Sequence, residues 1–280
     1  MKSSIHGVRR LLTTTLTACA LLIGLTAPAT AAGRGAERAT QETDHAMGSQ
    51  IRKHEGGDPS AGNQTTGNGS DVGVLATVSG IDVSGHQGNV NWAYHWGQGK
   101  RFAYVKATEG TGFKNPYFTQ QYNGSYNVGM IRGAYHFALP DRSSGAAQAN
   151  FFVDNGGGWS RDGKTLPGVA DLEYNPYGAT CYGKSQAGMA AWIRDFANTY
   201  KARTSRDAVF YTSANWWSQC VGTAQAFAST NPLWIARYSS SVGALPYNWS
   251  YWTFWQYTSS PLDQNYFNGA YDRLRVLANG

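Results

Sequence analysis

The stretch Gly168-Val169-Ala170-Asp171-Leu172-Glu173-Tyr174-Asn175, GVADLEYN, ends an apolar run in two carboxylates one residue apart, in a chain only 14% charged. A short, nearly continuous apolar run bounded by a glycine has the texture of a strand buried on both faces. Six more runs share it: SGIDVS (79–84), FAYVKA (102–107), IRGAYHFA (131–138), AVFYTS (208–213), LWIARY (233–238) and YWTFWQYT (251–258), with LRVLA (274–278) a weaker eighth. Helix-like stretches lie between them. One opens at Asn115-Pro116 and runs to Tyr126, a second runs from Ser144 to Asp154, and the longest from Ser185 to Arg203. In the longest, Met189, Trp192, Ile193, Phe196 and Tyr200 recur at helical spacing. Strand–helix alternation implies a parallel sheet. Seven or eight strands in about 200 residues point to closure, so the expected fold class is α/β: an irregular, single-domain, TIM-like (β/α) barrel with some helices short or missing.

The ends of the chain divide differently. Lys2, Arg9 and Arg10 precede an apolar stretch from Leu11 to Ala27, followed by Ala29-Thr30-Ala31, the small-residue pattern of a cleavage site. Residues 1–31 therefore read as a secretory signal peptide, the apolar run being shorter than the ~20 residues of a membrane span. Residues 32–78 hold no aromatic residue and almost no apolar periodicity, and read as a disordered linker or pro-segment. All ten Trp lie beyond, in 79–280, which is the expected catalytic domain. That domain holds 16 basic and 11 acidic residues scattered singly. It suits an anionic wall surface but lacks the Lys/Arg runs of a nucleic-acid binder. Cys19 leaves with the signal, so Cys181 and Cys220 form an even pair in an exported chain and a disulfide is expected.

In a parallel barrel, ligands meet the C-terminal strand ends. Polar residues gather there: Asp82, Lys106 to Glu109, His136, Asp171 with Glu173, Tyr211 and Gln256. Residues i and i+2 of a strand share a face, roughly 6.6 Å apart, which places Asp171 beside Glu173. Two close carboxylates resist ionising together, so one pKa rises. A raised acid can protonate a leaving group while its partner stays charged, the division of labour that glycosidic cleavage needs. A solvated or salt-bridged pair at a strand end is the plainer alternative. No G-x-S-x-G elbow, phosphate loop or dinucleotide fingerprint occurs, and His86, His95 and His136 are too dispersed for a zinc site. No metal and no cofactor are expected.

Seven blocks occur in order: DVSGHQG from Asp82, YVKATEGTGFKN (104–115), GAYHF (133–137), LPGVADLE (166–173), FYT (210–212), TFWQY (253–257) and LDQNYFNG (262–269). In these blocks the chain resembles the glycoside hydrolase family 25 lysozymes (N-acetylmuramidases) over about 79–280. The resemblance implies an irregular β/α barrel that hydrolyses the β-1,4 bond between N-acetylmuramic acid and N-acetylglucosamine in peptidoglycan. It implies Glu173 as general acid/base. Asp171 would assist, by orienting the substrate's N-acetyl group or by stabilising developing charge. Asp82 and Asp263 would be further acids of the groove. Tyr135, Tyr211 and Gln256 would bind sugar, and Glu109 would support. Where that family often has His-Trp after Asp-Val-Ser, this chain has Gly85-His86, so an aromatic is missing at the groove entrance, and Thr258 to Leu262 is short. The expected protein is a secreted monomer whose partner is cell-wall peptidoglycan, without nucleic acid or stable membrane association. Chitinase-like or endo-N-acetylglucosaminidase activity, and a non-catalytic wall-binding protein, are the alternatives.

Overall fold

The structure is a computed structural model that describes residues 43–57 and 76–280. The signal-peptide reading of residues 1–31 lies outside the described residues. Among the described residues nine strands are present: β1 (Thr77–Val83), β2 (Phe102–Glu109), β3 (Phe113–Lys114), β4 (Ile131–Phe137), β5 (Val169–Asp171), β6 (Val209–Thr212), β7 (Leu233–Ala236), β8 (Phe254–Thr258) and β9 (Gln264–Asn268). Their order is β1-β9-β8-β7-β6-β5-β4-β2-β3, and β1 also pairs with β2, so all but β3 form a closed eight-stranded barrel. Pairings from β1 through β2, β4, β5, β6, β7 to β8 are parallel. β9 closes the ring antiparallel to both neighbours. The fold is thus the expected α/β barrel, with one reversed strand.

The eighth strand is not where the apolar pattern placed it. LRVLA (274–278) lies in a helix, α7 (Tyr271–Asn279), which buries Leu274 and Ala278 at i, i+4 spacing. The closing strand QNYFN buries only Asn265 and Phe267, alternating with half-buried neighbours. Its polar half hides it from a search for continuous apolar runs.

The remaining helices are α1 (Ser49–Glu55), α2 (Trp92–Gly97), α3 (Phe118–Asn127), α4 (Gly145–Phe152), α5 (Gln186–Thr204) and α6 (Ala214–Cys220). The Ser185 hydroxyl caps α5 by accepting from the Gly188 N–H (3.1 Å). The predicted stripe of α5 is its buried face. α2 and α6 were not read from the sequence. Each is under two full turns, too short to show periodicity. Among the described residues no helix separates β7 from β8 or β8 from β9. That is where the barrel is irregular.

Aromatic side chains fill the barrel. Tyr104 meets Trp234 (4.8 Å between rings) and Phe254 (5.6 Å), and Phe254 meets Phe102 (5.3 Å). Two glycines make room for them. A Cβ on Gly80 would stand 2.5 Å from the Phe102 ring, and one on Gly133 would stand 2.2 Å from Tyr104. Trp216, Trp217 and Trp234 are fully buried, so much of the aromatic supply expected near sugar belongs to the core instead. A smaller apolar layer (Ile81, Val83, Trp92, Ala103, Val105, Met130) includes residues of β1, β2 and α2. Cys181 and Cys220 form a disulfide, with Cα atoms 5.2 Å apart, between the approach to α5 and the end of α6.

Part of the stretch read as linker or pro-segment is folded. Residues 43–57 carry α1 and belong to the same compact unit as the barrel.

Candidate active site

Strand register assembles the polar rim. Glu109 pairs with Phe137, Phe137 with Asp171, and Asp171 with Tyr211. The regular ladder of β5 ends at Asp171, but the Leu172 N–H still donates to the Tyr211 carbonyl (2.9 Å), carrying Glu173 along the same line. Asp171 and Glu173 are both buried.

Neither is a solvated or salt-bridged strand-end acid. Burial, reinforced by the charge of Glu173, pushes Asp171 well above the usual carboxylate range, against the opposing pull of Lys106. Apart from the carboxyl of Glu173, neither of its carboxylate oxygens meets a hydrogen-bond donor among the described residues. Burial raises Glu173 to about 7, although three backbone N–H groups pull the other way. Those donors are Gly48 (2.7 Å to Oε1), Gln50 (2.8 Å to Oε2) and Ile51 (3.0 Å to Oε2). The N–H groups of a helix's first turn have no partner within the helix, and α1 has no side-chain cap. Glu173 fills that place from across the groove.

Asp82, on β1, anchors a second cluster. Its Oδ2 accepts from Gln256 Nε2 (2.9 Å) and Asn265 Nδ2 (2.7 Å), and its Oδ1 has no partner among the described residues. Burial raises its pKa to about 6, moderated by those two amides and by Arg52. Gln256 Oε1 in turn accepts from the hydroxyl of Tyr211 (2.7 Å), and the Tyr238 hydroxyl lies 2.8 Å away. Asp82, Gln256 and Tyr211 thus form one network. Asp263 precedes β9, 4.0 Å from Arg52, and burial followed by the charge of Asp82 raises it well above the usual range. The Tyr135 hydroxyl accepts from the Met47 N–H (3.2 Å).

Glu109 stands apart from the other acids. It pairs with Lys106 (2.5 Å) and with His45 Nδ1 (2.7 Å). Burial alone would raise Glu109, but Lys106 and His45 outweigh it and hold the carboxyl below its usual range. His136 is a core residue, with Thr108 at 2.7 Å from Nδ1 and Gln148 at 2.9 Å from Nε2. Burial drives its pKa down to about 4, so it is a neutral hydrogen-bonding strut. Among the described residues no cluster of three His, Cys, Asp or Glu could hold a metal.

Three participants escaped the sequence reading. Asn265 binds Asp82, Tyr238 meets Gln256, and residues 44–52 contact most of the rim. Spacing could have found the first two. Asn265 is two residues from Asp263, and Tyr238 ends the run LWIARY, an even number of residues after Trp234. Nothing in the composition of 32–78 announces the third.

The sequence profile of the glycosyl hydrolases family 25 matches residues 81–265. The chain is 51% identical over 210 residues to lysozyme M1 of Streptomyces globisporus, a match covering 72% of this chain and 71% of that protein. It is 46% identical over 211 residues to an N,O-diacetylmuramidase of a Chalaropsis species, covering 73% of this chain and 100% of that one. The structure of a muramidase from Acremonium alcalophilum superposes with a TM-score of 0.71 at 57% identity, over 72% of this chain and 99% of that one.

Proposed function

The chain belongs to the glycosyl hydrolases of family 25, and from that premise we propose that it is a secreted muramidase cleaving the β-1,4 bond between N-acetylmuramic acid and N-acetylglucosamine in peptidoglycan. The observation that carries the mechanism is the contrast within the pair. Burial raises Glu173 to about 7 with three backbone donors on it, while Asp171, two residues away, has no hydrogen-bond partner among the described residues other than Glu173 itself.

A buried acceptor without a partner is costly and calls for an explanation; a substrate group that satisfies it is one. Glu173, protonated below about pH 7, gives its proton to the glycosidic oxygen as the bond to the anomeric carbon breaks. Asp171 faces the positive charge that develops on the sugar ring, and its own tendency to ionise strengthens as that charge grows. Water then completes hydrolysis, with Glu173 taking its proton. Asp82 and Asp263 add negative charge to the same groove. The Asp82–Gln256–Tyr211 network fixes these groups before substrate arrives, so their positioning costs nothing during reaction. Tyr135 lends a hydroxyl to the sugar, and the Lys106–Glu109 pair braces the rim. The leader at residues 1–31 delivers the protein outside the cell, where it acts as a monomer on the wall without lasting membrane attachment.

Reducing ends should be released from peptidoglycan and not from chitin; the reverse would replace this reading with the chitinase-like one. Glu173→Gln should abolish wall lysis while the fold persists. Undiminished lysis by Glu173→Gln would show that Glu173 is not the catalytic acid, and no lysis by the parent chain would return it to a non-catalytic, wall-binding role.

A further inference from the structure

A glycan must reach Asp171 and Glu173, yet these are 0% and 1% exposed. What covers Glu173 is the chain itself. We propose that residues 43–57 are an autoinhibitory plug, which occupies the substrate groove in place of the glycan and holds the enzyme closed until the segment is severed from the barrel and leaves. This inference rests on the groove being the catalytic site, as proposed above.

The contacts follow the rim residue by residue. Asp44 pairs with Lys106 (3.0 Å), His45 with Glu109 (2.7 Å), and Arg52 stands 4.0 Å from Asp263. The Met47 N–H donates to Tyr135 (3.2 Å), and the Gly48 carbonyl lies 3.2 Å from the Tyr238 hydroxyl. In α1's last turn, the Glu55 carboxylate accepts from Tyr174 (2.9 Å), Asn215 (2.9 Å) and Ser213. The plug therefore engages Glu109, Asp263 and Tyr135 among the groups nominated for substrate, and through Met47 and Gly48 it presents backbone N–H and C=O groups such as an N-acetyl group carries.

At the centre the block is complete. Three backbone N–H groups of the segment sit on the two oxygens of Glu173, the atoms that a glycosidic oxygen would have to meet. Among the described residues, two cavities flank the segment. One of about 440 Å³ is lined by Ile51, Glu55, Asn215 and Tyr238, and one of about 350 Å³ by Asp44, Arg52, His86 and Asp263. Neither is lined by Asp171 or Glu173.

The fit depends on one residue. Gly48 adopts φ +75°, and a Cβ there would lie 2.1 Å from the Tyr238 hydroxyl, 2.4 Å from that of Tyr211 and 2.6 Å from Gln256 Oε1. A side chain would both strain the backbone and push the plug off the rim. The plug also lies outside the family match at 81–265, so the barrel that the family shares does not include it.

The test uses the full chain with a specific protease recognition sequence inserted between Gly57 and Thr77. Turnover of dye-labelled peptidoglycan is measured before and after cutting and removal of the released peptide. Activity should rise at least tenfold on cutting, and a synthetic peptide of residues 43–57 added back should suppress it. Gly48→Val should raise the activity of the uncut chain several-fold, whereas a segment needed only for folding would give a variant no more active than its parent. Equal, measurable activity before and after cutting overturns the plug and leaves the muramidase reading standing. No activity in either form overturns the muramidase reading for this chain, and the plug with it.

Discussion

The barrel and the segment docked on it are held by different forces. Inside the barrel, Tyr104, Trp234, Phe254 and Phe102 interlock with no polar partner needed beyond a few hydrogen bonds. The segment buries two apolar side chains, Met47 and Ile51, and otherwise clings by backbone N–H groups and charges. Core burial of this kind is insensitive to pH and hard to remove locally. Contacts made to titrating acids are neither. A region built on the first can outlive the loss of a region built on the second, which makes the two separable.

The largest effect should come where the two regions meet. In the cleaved chain, Glu173→Gln should lower turnover by about 10²–10⁴-fold, the usual contribution of a general acid, with an unchanged melting curve. A parallel loss of fold would mean Glu173 is a support of the barrel rather than a reactant. Next comes the barrel interior. Trp234→Ala should cost about 3–5 kcal/mol in denaturant unfolding. Ile51→Ala, in the segment, should leave the barrel's transition nearly in place. If Ile51→Ala matched Trp234→Ala, the segment would be an integral part of the core and the contrast would fail.

The disulfide comes third. Replacing Cys181 and Cys220 by Ser should lower stability by about 2–5 kcal/mol, measured on the oxidised and substituted proteins under the same conditions. The smallest net effect is the pH dependence of the uncut chain. Asp82 and Glu173 have folded pKa values raised to about 6 and about 7. An acid raised on folding binds more protons in the folded state, so stability should fall as pH rises from about 4 to about 7. Groups whose pKa folding lowers oppose it, His95 and Asp162 among them. His136, lowered to about 4, favours the folded state as pH rises over about 4 to 6.5, and Glu109, held below its usual range, loses its stabilising contribution as pH falls. Asp82→Asn should flatten the fall between about pH 4 and 6. An unaltered slope would place the titration elsewhere.

Much of the barrel was legible because its strands bury both faces. FAYVKATE is buried at every position, and such runs stand out from any background. β9 was not legible, because a strand with half its residues polar gives only a weak alternation. The two acids of GVADLEYN were legible from spacing alone, since a period of two puts Asp171 and Glu173 on one face. Their environment was not. That Asp171 meets no donor but its neighbour Glu173, while Glu173 accepts from the N–H groups of residues more than a hundred positions away, is a product of tertiary packing. The segment 43–57 was the least legible of all. Its fold is set by the groove it fills, through Gly48 under the tyrosine hydroxyls and Arg52 near Asp263, and a seven-residue helix has no periodicity with which to declare itself.

The central claim is that this rim breaks the bond on the reducing side of muramic acid, and the new chain end reports it directly. Peptidoglycan digested by the cleaved protein should be reduced with borohydride, hydrolysed and resolved by mass spectrometry. Muramitol should be the sugar alcohol formed, and it should be lost in Glu173→Gln. Glucosaminitol, or muramitol in undiminished yield from Glu173→Gln, would contradict it.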